Sequence, residues 1–366
     1  MRRSLVREGF LASCYFRTSV EPPNRKALLQ ITQRCNLRCV HCFVSANDCG
    51  SIMPVEDICE KIIPELKHCH VINVTLTGGE PFIHPDIIEI VRSLKNAGIR
   101  VGICTNGTVI SQQYMEKLVE IGGIHVNVSL DGFSPKSHGR FRGDESSFFK
   151  TIETIQQLGR HHLLQGLLVT PNTLASVEEY ADICRFALQN GATYVLINPL
   201  SPMGRGIMTQ ERLGAPTQMM TAIRKITSSF SSNINITYVR FPNAQNLPLT
   251  SCNAGDIIYV FADGDVAICA YLVFAARSPK SLHKPKEFIV GNIFQDSDIK
   301  EKLDSYKFHQ RYRLGDNPTC RICSLNPQCG KGCPAAVISS GKRMGETDEE
   351  VCPISGLCGG DNIVCS

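Results

Sequence analysis

The chain has 366 residues, 43% of them hydrophobic and 20% charged, with a net charge of +4. That composition supplies a sizeable core without disulfide staples, and the positive excess is too small and too dispersed to argue for a nucleic-acid partner. No run reaches the roughly 20 apolar residues of a membrane span, and the basic opening Met1-Arg2-Arg3-Ser4 has no signal-peptide apolar stretch behind it, so a soluble cytoplasmic protein is expected.

Residues 1–26 read as an irregular extension that ends in Glu21-Pro22-Pro23-Asn24. From there apolar runs alternate with amphipathic ones. Strands are predicted at 27–32, 71–77, 99–105, 124–130, 163–170 and 193–198. Helices are predicted at 55–67, 85–97, 112–121, 146–158, 177–189 and 217–228. Pro64 should kink the first of these or end it early. Repeated strand–helix alternation implies parallel strands joined by right-handed crossovers. Six such strands over 27–230 fall short of the eight of a complete α/β barrel.

The polar and glycine-bearing motifs sit where these strands end. They are Cys35–Cys42, Thr77-Gly78-Gly79-Glu80-Pro81, Thr105-Asn106-Gly107, Ser129-Leu130-Asp131-Gly132 and Asn198-Pro199. In α/β folds the C-terminal ends of the strands carry the chemistry, so one site across one face is expected. After about residue 240 the alternation stops. Tyr259–Ile268 reads as a hairpin turning at Asp263-Gly264. Beyond Gly315 the chain is loop-like and rich in Cys, Gly and Pro, a segment that metal clusters can hold together. The expected division is an extension at 1–26, an α/β unit at 27–235 and a small cysteine-rich unit at 236–366.

Eighteen cysteines are the compositional outlier. In a long chain with no secretion signal, tight spacings point to metal rather than to disulfides. Cys35-X3-Cys39-X2-Cys42 offers three thiolates, soft ligands that suit zinc, copper(I) or an iron–sulfur cluster. On a four-iron cluster, three cysteines leave one iron open. Gly78 and Gly79 let backbone approach a ligand there, and Glu80 can accept from an ammonium group. An amino acid chelating through its amine and carboxylate suits that arrangement. For the three cysteines taken alone, a zinc knuckle is the plainer alternative.

Cys35-X3-Cys39-X2-Cys42 after the first strand, with Gly78-Gly79-Glu80-Pro81 after the second, resembles the radical S-adenosylmethionine (SAM) superfamily over roughly residues 27–230. The resemblance implies a partial (β/α)6 TIM-like barrel, a [4Fe–4S] cluster on Cys35, Cys39 and Cys42, and SAM on the remaining iron. In that family one electron from the cluster cleaves SAM to methionine and a 5′-deoxyadenosyl radical, which takes hydrogen from substrate. A flavodoxin- or ferredoxin-type protein would supply the electron. The resemblance also implies SAM contacts from Gly78, Gly79, Glu80, Pro81 and Asn106, ribose contacts from Ser129 and Asp131, and a carboxylate contact from Arg142. His41 stands where the family often has an aromatic residue before the third cysteine. The plainer readings are a strand-ending turn at Thr105-Asn106-Gly107, capping by Ser129 and Asp131, and a surface ion pair for Arg142. Pro202-Met203-Gly204-Arg205 lines the substrate opening or is an ordinary loop.

A second set follows as Cys252-X11-Gly264-X4-Cys269, then Cys320-X2-Cys323-X5-Cys329-X3-Cys333, then Cys352. Seven thiolates suit one or two iron–sulfur clusters, or zinc in a ribbon. The order and spacing resemble the SPASM extension of radical SAM enzymes that mature peptides and sulfatases. That resemblance implies two auxiliary clusters of the [4Fe–4S] type, the first on Cys252, Cys269 and Cys333, the second on Cys320, Cys323, Cys329 and Cys352. Some relatives draw a fourth thiolate for the first cluster from the stretch matching 253–263, which here has no cysteine. The first cluster then has an open iron, a substrate-capped iron or a distant ligand, for which Cys358 and Cys365 are the candidates; both also read as tail thiols. Cys358 also competes with Cys352 as the closing ligand of the second cluster, although the Cys352-Pro353 context and the gap length favour Cys352. Cys59, Cys104 and Cys184 read as packed small hydrophobes. Cys14, Cys49 and Cys69 carry no assignment.

Auxiliary clusters suit net oxidation, such as a crosslink, a dehydrogenation or an oxidative decarboxylation. The sulfatase-maturing branch often has an acidic residue directly after the position of Cys269; Ala270 and Tyr271 follow here. Asp263, Asp265 or Tyr271 can handle a proton, although the two aspartates read first as turn residues. Only 34 residues precede Cys35, so no peptide-recognition domain is expected ahead of it. A separate recognition protein, unaided binding or a small-molecule substrate are the alternatives. The first reading is oxidative modification of a ribosomally made precursor peptide. The competing enzyme reading is oxidation or decarboxylation of a small metabolite, such as a tetrapyrrole side chain or nucleoside sugar. A non-catalytic zinc scaffold is the third.

Overall fold

The computed structural model describes residues 9–15 and 20–354; Cys358 and Cys365 lie outside them. Seven strands follow one another in parallel: β1 (Arg25–Thr32), β2 (Val71–Gly78), β3 (Arg100–Thr105), β4 (Ile124–Ser129), β5 (Leu164–Val169), β6 (Tyr194–Ile197) and β7 (Asn235–Tyr238). The alternation of β1 explains its place, since Ala27, Leu29 and Ile31 all have their side chains in the core. Helices cross back between the strands. The one at Ile87–Asn96 buries Ile87, Ile88, Ile90, Val91 and Leu94, a stripe with helical spacing. The helices at Gln112–Ile121 and Val177–Gln189 have the bounds their periodicity predicts.

Several features depart from the sequence reading. β7 was not among the predicted strands; its four residues, Asn-Ile-Thr-Tyr, are too few and too polar to show a period. Pro64 neither ends nor kinks away the first helix. A π-helical turn at Ile58–Ile62 precedes it, with the Ile63 N–H donating to the Ile58 carbonyl, and the chain continues helically to His68. The widened turn accommodates the proline that a regular α-helix would exclude. Beyond Gly315 the chain is not loop alone: Pro334–Ser339 is a helix whose every residue is buried, packed with an equally buried helix at Ala270–Ala276.

The expected hairpin is present as β8 (Ile257–Val260) and β9 (Asp265–Ala267), antiparallel to each other. Its position is what the sequence leaves open. β8 pairs in parallel with the free side of β1, Lys26 opposite Ile257 through Leu29 opposite Val260. β10 (Ile289–Asn292) follows antiparallel to β9, giving a ten-stranded sheet in the order β10-β9-β8-β1-β2-β3-β4-β5-β6-β7. The cysteine-rich part of the chain is thereby continuous with the first strand, and one apolar cluster runs through both.

Two polar devices fix the loops at the strand ends. Glu80 is fully buried. Its carboxylate accepts from the Thr105 hydroxyl (2.7 Å), the Asn106 N–H (2.7 Å) and the Phe82 N–H (3.1 Å), tying the end of β2 to the end of β3. Burial pushes its carboxyl up from 4.5 to about 7 despite those donors. Arg240, also buried, donates to both Asp348 oxygens (2.6 and 2.9 Å), to Glu350 and to the Ser13 carbonyl (3.1 Å), while its own N–H donates to the Ala12 carbonyl (2.7 Å). It joins the N-terminal segment, the chain after β7 and the C-terminal region.

Arg240→Ala strands a buried Asp348 carboxylate and should lower unfolding stability by roughly 3–5 kcal/mol, measured by denaturant titration. Arg240→Lys should recover only part, because the bidentate geometry is lost; a loss under about 1 kcal/mol in the alanine variant contradicts the account. Glu80→Gln places an amide N–H against the Asn106 N–H and should cost about 1–3 kcal/mol. The raised native carboxyl stabilises the fold fully below pH 4.5, and this contribution is lost as pH rises through about 7. The fall in stability across that window should therefore be smaller in Glu80→Gln than in the wild type; equal slopes would show that Glu80 is not its source.

Candidate active site

β1 runs directly into the first cysteine motif. The loop from Gln33 to Ala46 is tethered along its length: the Cys35 N–H donates to the Asn47 carbonyl (2.7 Å), the Val40 N–H to the Phe141 carbonyl (3.1 Å), and the Arg205 N–H to the Cys42 carbonyl (3.0 Å). Gly79 makes a further fit, since a Cβ there would stand 2.2 Å from the Arg34 carbonyl oxygen. The glycines of the second motif thus admit the backbone that leads into Cys35, a close approach to protein where the sequence reading expected a ligand.

Cys35, Cys39 and Cys42 line one cavity of about 270 Å³. The C-terminal ends of β2 to β6 reach the same cavity through Gly78 and Gly79, Asn106, Ser129, Thr170 and Asn198, and β8 reaches it through Tyr259. The strand-end motifs converge as their positions in the sequence imply. Glu80, Pro81 and Asp131 do not line it. Glu80 and Asp131 are buried behind it, Asp131 accepting from Arg142 Nε (2.6 Å) and from the Thr170 N–H (2.8 Å). Arg142 does line it, with Nη1 3.9 Å from Cys39 Sγ, so its ion pair is internal rather than on the surface. Asn106 Nδ2 is likewise 3.9 Å from Cys35 Sγ. His41 stacks on Phe141 with ring centroids 4.1 Å apart. Burial, then Arg142 and Arg205, hold it well below its ordinary pKa.

Sequence reasoning passed over two of the side chains that shape this cavity. Tyr15, from the extension, stacks on Tyr271 with centroids 4.6 Å apart, and the ring of Phe43 lies 5.6 Å from that of Tyr271. Neither Tyr15 nor Phe43 stands in a motif, so no spacing signal marks them. Arg205 gives a sharper result. Its Nε donates to the Cys39 carbonyl (2.7 Å) and Nη1 to the Ala46 carbonyl (2.8 Å), while Nη2 is buried with no partner. Asn198 Oδ1 and His41 Nδ1, on the same cavity, are also without partners. A buried polar atom without a partner costs free energy, so this cavity suits a ligand with both donors and acceptors.

A second small cavity is lined by Cys252, Cys269 and Cys333, together with Cys14 from the extension. Tyr15 and Tyr271 line both cavities. Of the remaining cysteines, Cys329 Sγ accepts from the Leu249 and Lys331 N–H groups (3.4 Å each) and Cys320 Sγ from Asn317 Nδ2 (3.4 Å). Cys329 and Cys352 pack against the same small apolar group of Leu11, Leu249 and Val351. Among the described residues, no three His, Cys, Asp or Glu side chains are grouped to hold a single metal ion. A four-iron cluster asks for something different, one thiolate per iron, and the thiol-lined cavities fit that donor set. Burial pushes the Cys35 thiol up to about 12 and raises Cys39 as well. Such thiols stay protonated at neutral pH until a bound metal displaces the proton, which is released as the sulfur becomes a ligand.

The comparisons agree with this geometry. Residues 29–184 match the family model described as the Radical SAM superfamily. Mycofactocin maturase MftC of Mycobacterium ulcerans is 26% identical, the alignment covering 88% of this chain and 86% of that protein. The antilisterial bacteriocin subtilosin biosynthesis protein AlbA of Bacillus subtilis is 27% identical over 86% of this chain and 68% of its own. Among solved structures, Streptococcus suis SuiB bound to S-adenosylmethionine superposes with a TM-score of 0.71 at 16% identity, covering 90% of this chain and 77% of SuiB. SuiB bound to its precursor peptide SuiA gives the same score at 17% identity, covering 90% and 76%. The likeness to SuiB establishes the fold, a partial α/β barrel with a cysteine-rich C-terminal region. The matched segment begins in β1 and takes in Cys35, Cys39, Cys42 and the strand ends through β5, so these residues of the chain match a radical SAM domain.

Proposed function

We propose that this protein is a radical SAM enzyme of the SPASM type that oxidatively modifies a precursor peptide. The observation that carries the reading is the shared cavity: three thiols from one loop face five successive strand ends and a set of unpartnered polar atoms. The relatives support the substrate class, since MftC is a maturase, AlbA serves bacteriocin biosynthesis and SuiB has been captured with a precursor peptide. When bound, a [4Fe–4S] cluster and SAM supply the 5′-deoxyadenosyl radical that takes a hydrogen atom from substrate, and auxiliary clusters supply an acceptor for the second electron of a net oxidation.

The chain's own residues do the rest. Cys35, Cys39 and Cys42 hold the cluster, with Asn106 and Arg142 directing N–H groups at two of the three sulfurs. Such donors stabilise thiolate charge. Arg205 is a better partner for the SAM carboxylate than Arg142. Arg142 is neutralised by Asp131, whereas the hydrogen bonds of Arg205 to two carbonyls leave its Nη2 without a partner in the cavity wall. Asn198 Oδ1 is the acceptor available to the SAM ammonium, and Ser129 the hydroxyl available to the ribose. In this reading Glu80 and Asp131 position Asn106 and Arg142 and do not touch SAM. Cys252, Cys269 and Cys333 hold one auxiliary cluster and Cys320, Cys323, Cys329 and Cys352 the other. The stacked Tyr15 and Tyr271 stand between the first of these and the radical site. A flavodoxin- or ferredoxin-type donor supplies the electron, and a separate recognition protein is a candidate for delivering the peptide.

Incubation of the anaerobically reconstituted, reduced enzyme with SAM and candidate precursor peptides should give 5′-deoxyadenosine and a peptide lighter by a pair of hydrogens, read by mass spectrometry. Conversion of a small metabolite with every peptide unchanged would overturn the peptide reading. Changing Cys35, Cys39 and Cys42 together to Ala should abolish 5′-deoxyadenosine formation and leave auxiliary iron in place; loss of all iron would show that the thiol sets are not independent. Arg205→Ala removes a charge-assisted hydrogen bond and should weaken SAM binding by roughly ten-fold or more, measured by equilibrium binding to the unreduced holoprotein. Unchanged SAM affinity would return the carboxylate to Arg142.

A further inference from the structure

Three thiolates on a four-iron cluster leave one iron short of a protein ligand, and the sequence leaves the partner of Cys252, Cys269 and Cys333 undefined. The structure places a fourth thiol against them. Cys14 is buried and lines the same cavity as those three. Its Sγ lies 3.4 Å from the carbonyl of Gly332 and 3.5 Å from that of Ser251, the residues directly before Cys333 and Cys252.

That position is built rather than incidental. The segment ahead of Cys14 is held by backbone pairing, Leu11 N–H to the Pro248 carbonyl (2.9 Å) and Thr250 N–H to the Leu11 carbonyl (3.0 Å). The Ser13 N–H donates to Thr250 Oγ1 (3.0 Å), and buried Arg240 donates to the carbonyls of Ala12 and Ser13 (2.7 and 3.1 Å). On the other side Tyr15 stacks on Tyr271. The chain on both sides of Cys14 is therefore fixed to the elements that carry Cys252, Cys269 and Cys333. Among the described residues no His, Asp or Glu lines this cavity; the donor-bearing side chains there besides the four cysteines are Tyr15, Asn253 and Tyr271. Of all these side chains only the cysteines give the soft thiolate ligand that an iron–sulfur cluster prefers.

We propose that Cys14 is the fourth protein ligand of the auxiliary cluster held by Cys252, Cys269 and Cys333, so that this cluster has a full set of thiolates and no iron open to substrate. The proposal rests on the reading that those three cysteines hold a cluster at all. It gives the N-terminal extension a role, as the strap that closes the site, and assigns the auxiliary cluster to electron transfer rather than to substrate binding. On binding, the Cys14 thiol releases its proton and its sulfur bonds to iron, with no change in oxidation state.

The test uses the full chain, reconstituted anaerobically, with Cys35, Cys39 and Cys42 changed to Ala so that only auxiliary iron remains. An iron without a thiolate is the one lost on mild oxidation by ferricyanide: a [4Fe–4S]2+ cluster gives up one electron and one Fe2+ and becomes a paramagnetic [3Fe–4S]+ cluster. In this background the wild-type Cys14 protein should give no three-iron EPR signal, and Cys14→Ala should give one from a single site. Cys14→Ser, which keeps the side-chain size, should retain the iron content and shift the EPR spectrum of the reduced cluster. A ready three-iron signal with Cys14 intact would overturn the proposal without any variant of that residue. It would equally be overturned if Cys14→Ala and Cys14→Ser matched the Cys14 protein in iron content and spectra while Cys333→Ala lost a cluster. If Cys333→Ala also changed neither iron nor spectra, the auxiliary-site reading itself would fall, and the proposal with it.

Discussion

The parallel pairing of β8 with β1 is the contact on which the rest of the molecule depends. β1 is the strand that delivers Cys35, and its far side is occupied by β8 from the cysteine-rich part of the chain. β8 puts Tyr259 on the radical-site cavity, and the hairpin it begins delivers Cys269 and Tyr271 a few residues later. One ladder of backbone hydrogen bonds therefore sets the position of both thiol sets relative to each other. Because the ladder is continuous with the apolar cluster under both regions, it cannot be shifted by a residue without turning the core face of a strand outward.

Electrostatics divides the buried charges into two kinds. Asp131 with Arg142, and Asp348 with Arg240, are paired inside the protein and hold loops in place. Arg205, half-buried in the cavity wall, is different: carbonyls accept from its Nε and Nη1, and its Nη2 is enclosed without a partner. A half-buried cation held in one orientation by carbonyls, with one nitrogen enclosed and unpartnered, is well placed for an anionic ligand. The same distinction separates Glu80, whose carboxylate is enclosed by three donors, from Asn198, whose oxygen has none.

What could be read in the sequence follows from what is local. Period and turn chemistry locate most of the strands and helices, because side chains on one face repeat within a few residues. The thiol spacings are local too, since each motif lies on a single loop. The motifs at the ends of β1 to β4 could be placed on one face because strand direction in a βα repeat is fixed. What escaped depends on contacts between distant parts of the chain. Nothing in Glu80 announces that Thr105 and Asn106 enclose it, and nothing in the hairpin at Asp263-Gly264 announces β1 as its neighbour. Cys14 is the extreme case: a single cysteine in an irregular extension, given meaning by backbone pairing with residues near 250 and an arginine at 240. Pro64 shows the converse, a local rule overruled by a π-helical turn that composition does not reveal.

The central claim is that the β1–β8 pairing sets two iron–sulfur sites side by side, separated by the stacked rings of Tyr15 and Tyr271. The most direct measurement is anomalous scattering at the iron edge from crystals of the anaerobically reconstituted protein. The account predicts iron in the cavity lined by Cys35, Cys39 and Cys42 and iron in the cavity lined by Cys252, Cys269 and Cys333, with the two tyrosines between. Iron at the first cavity and none at the second, or a zinc edge in its place, would contradict it.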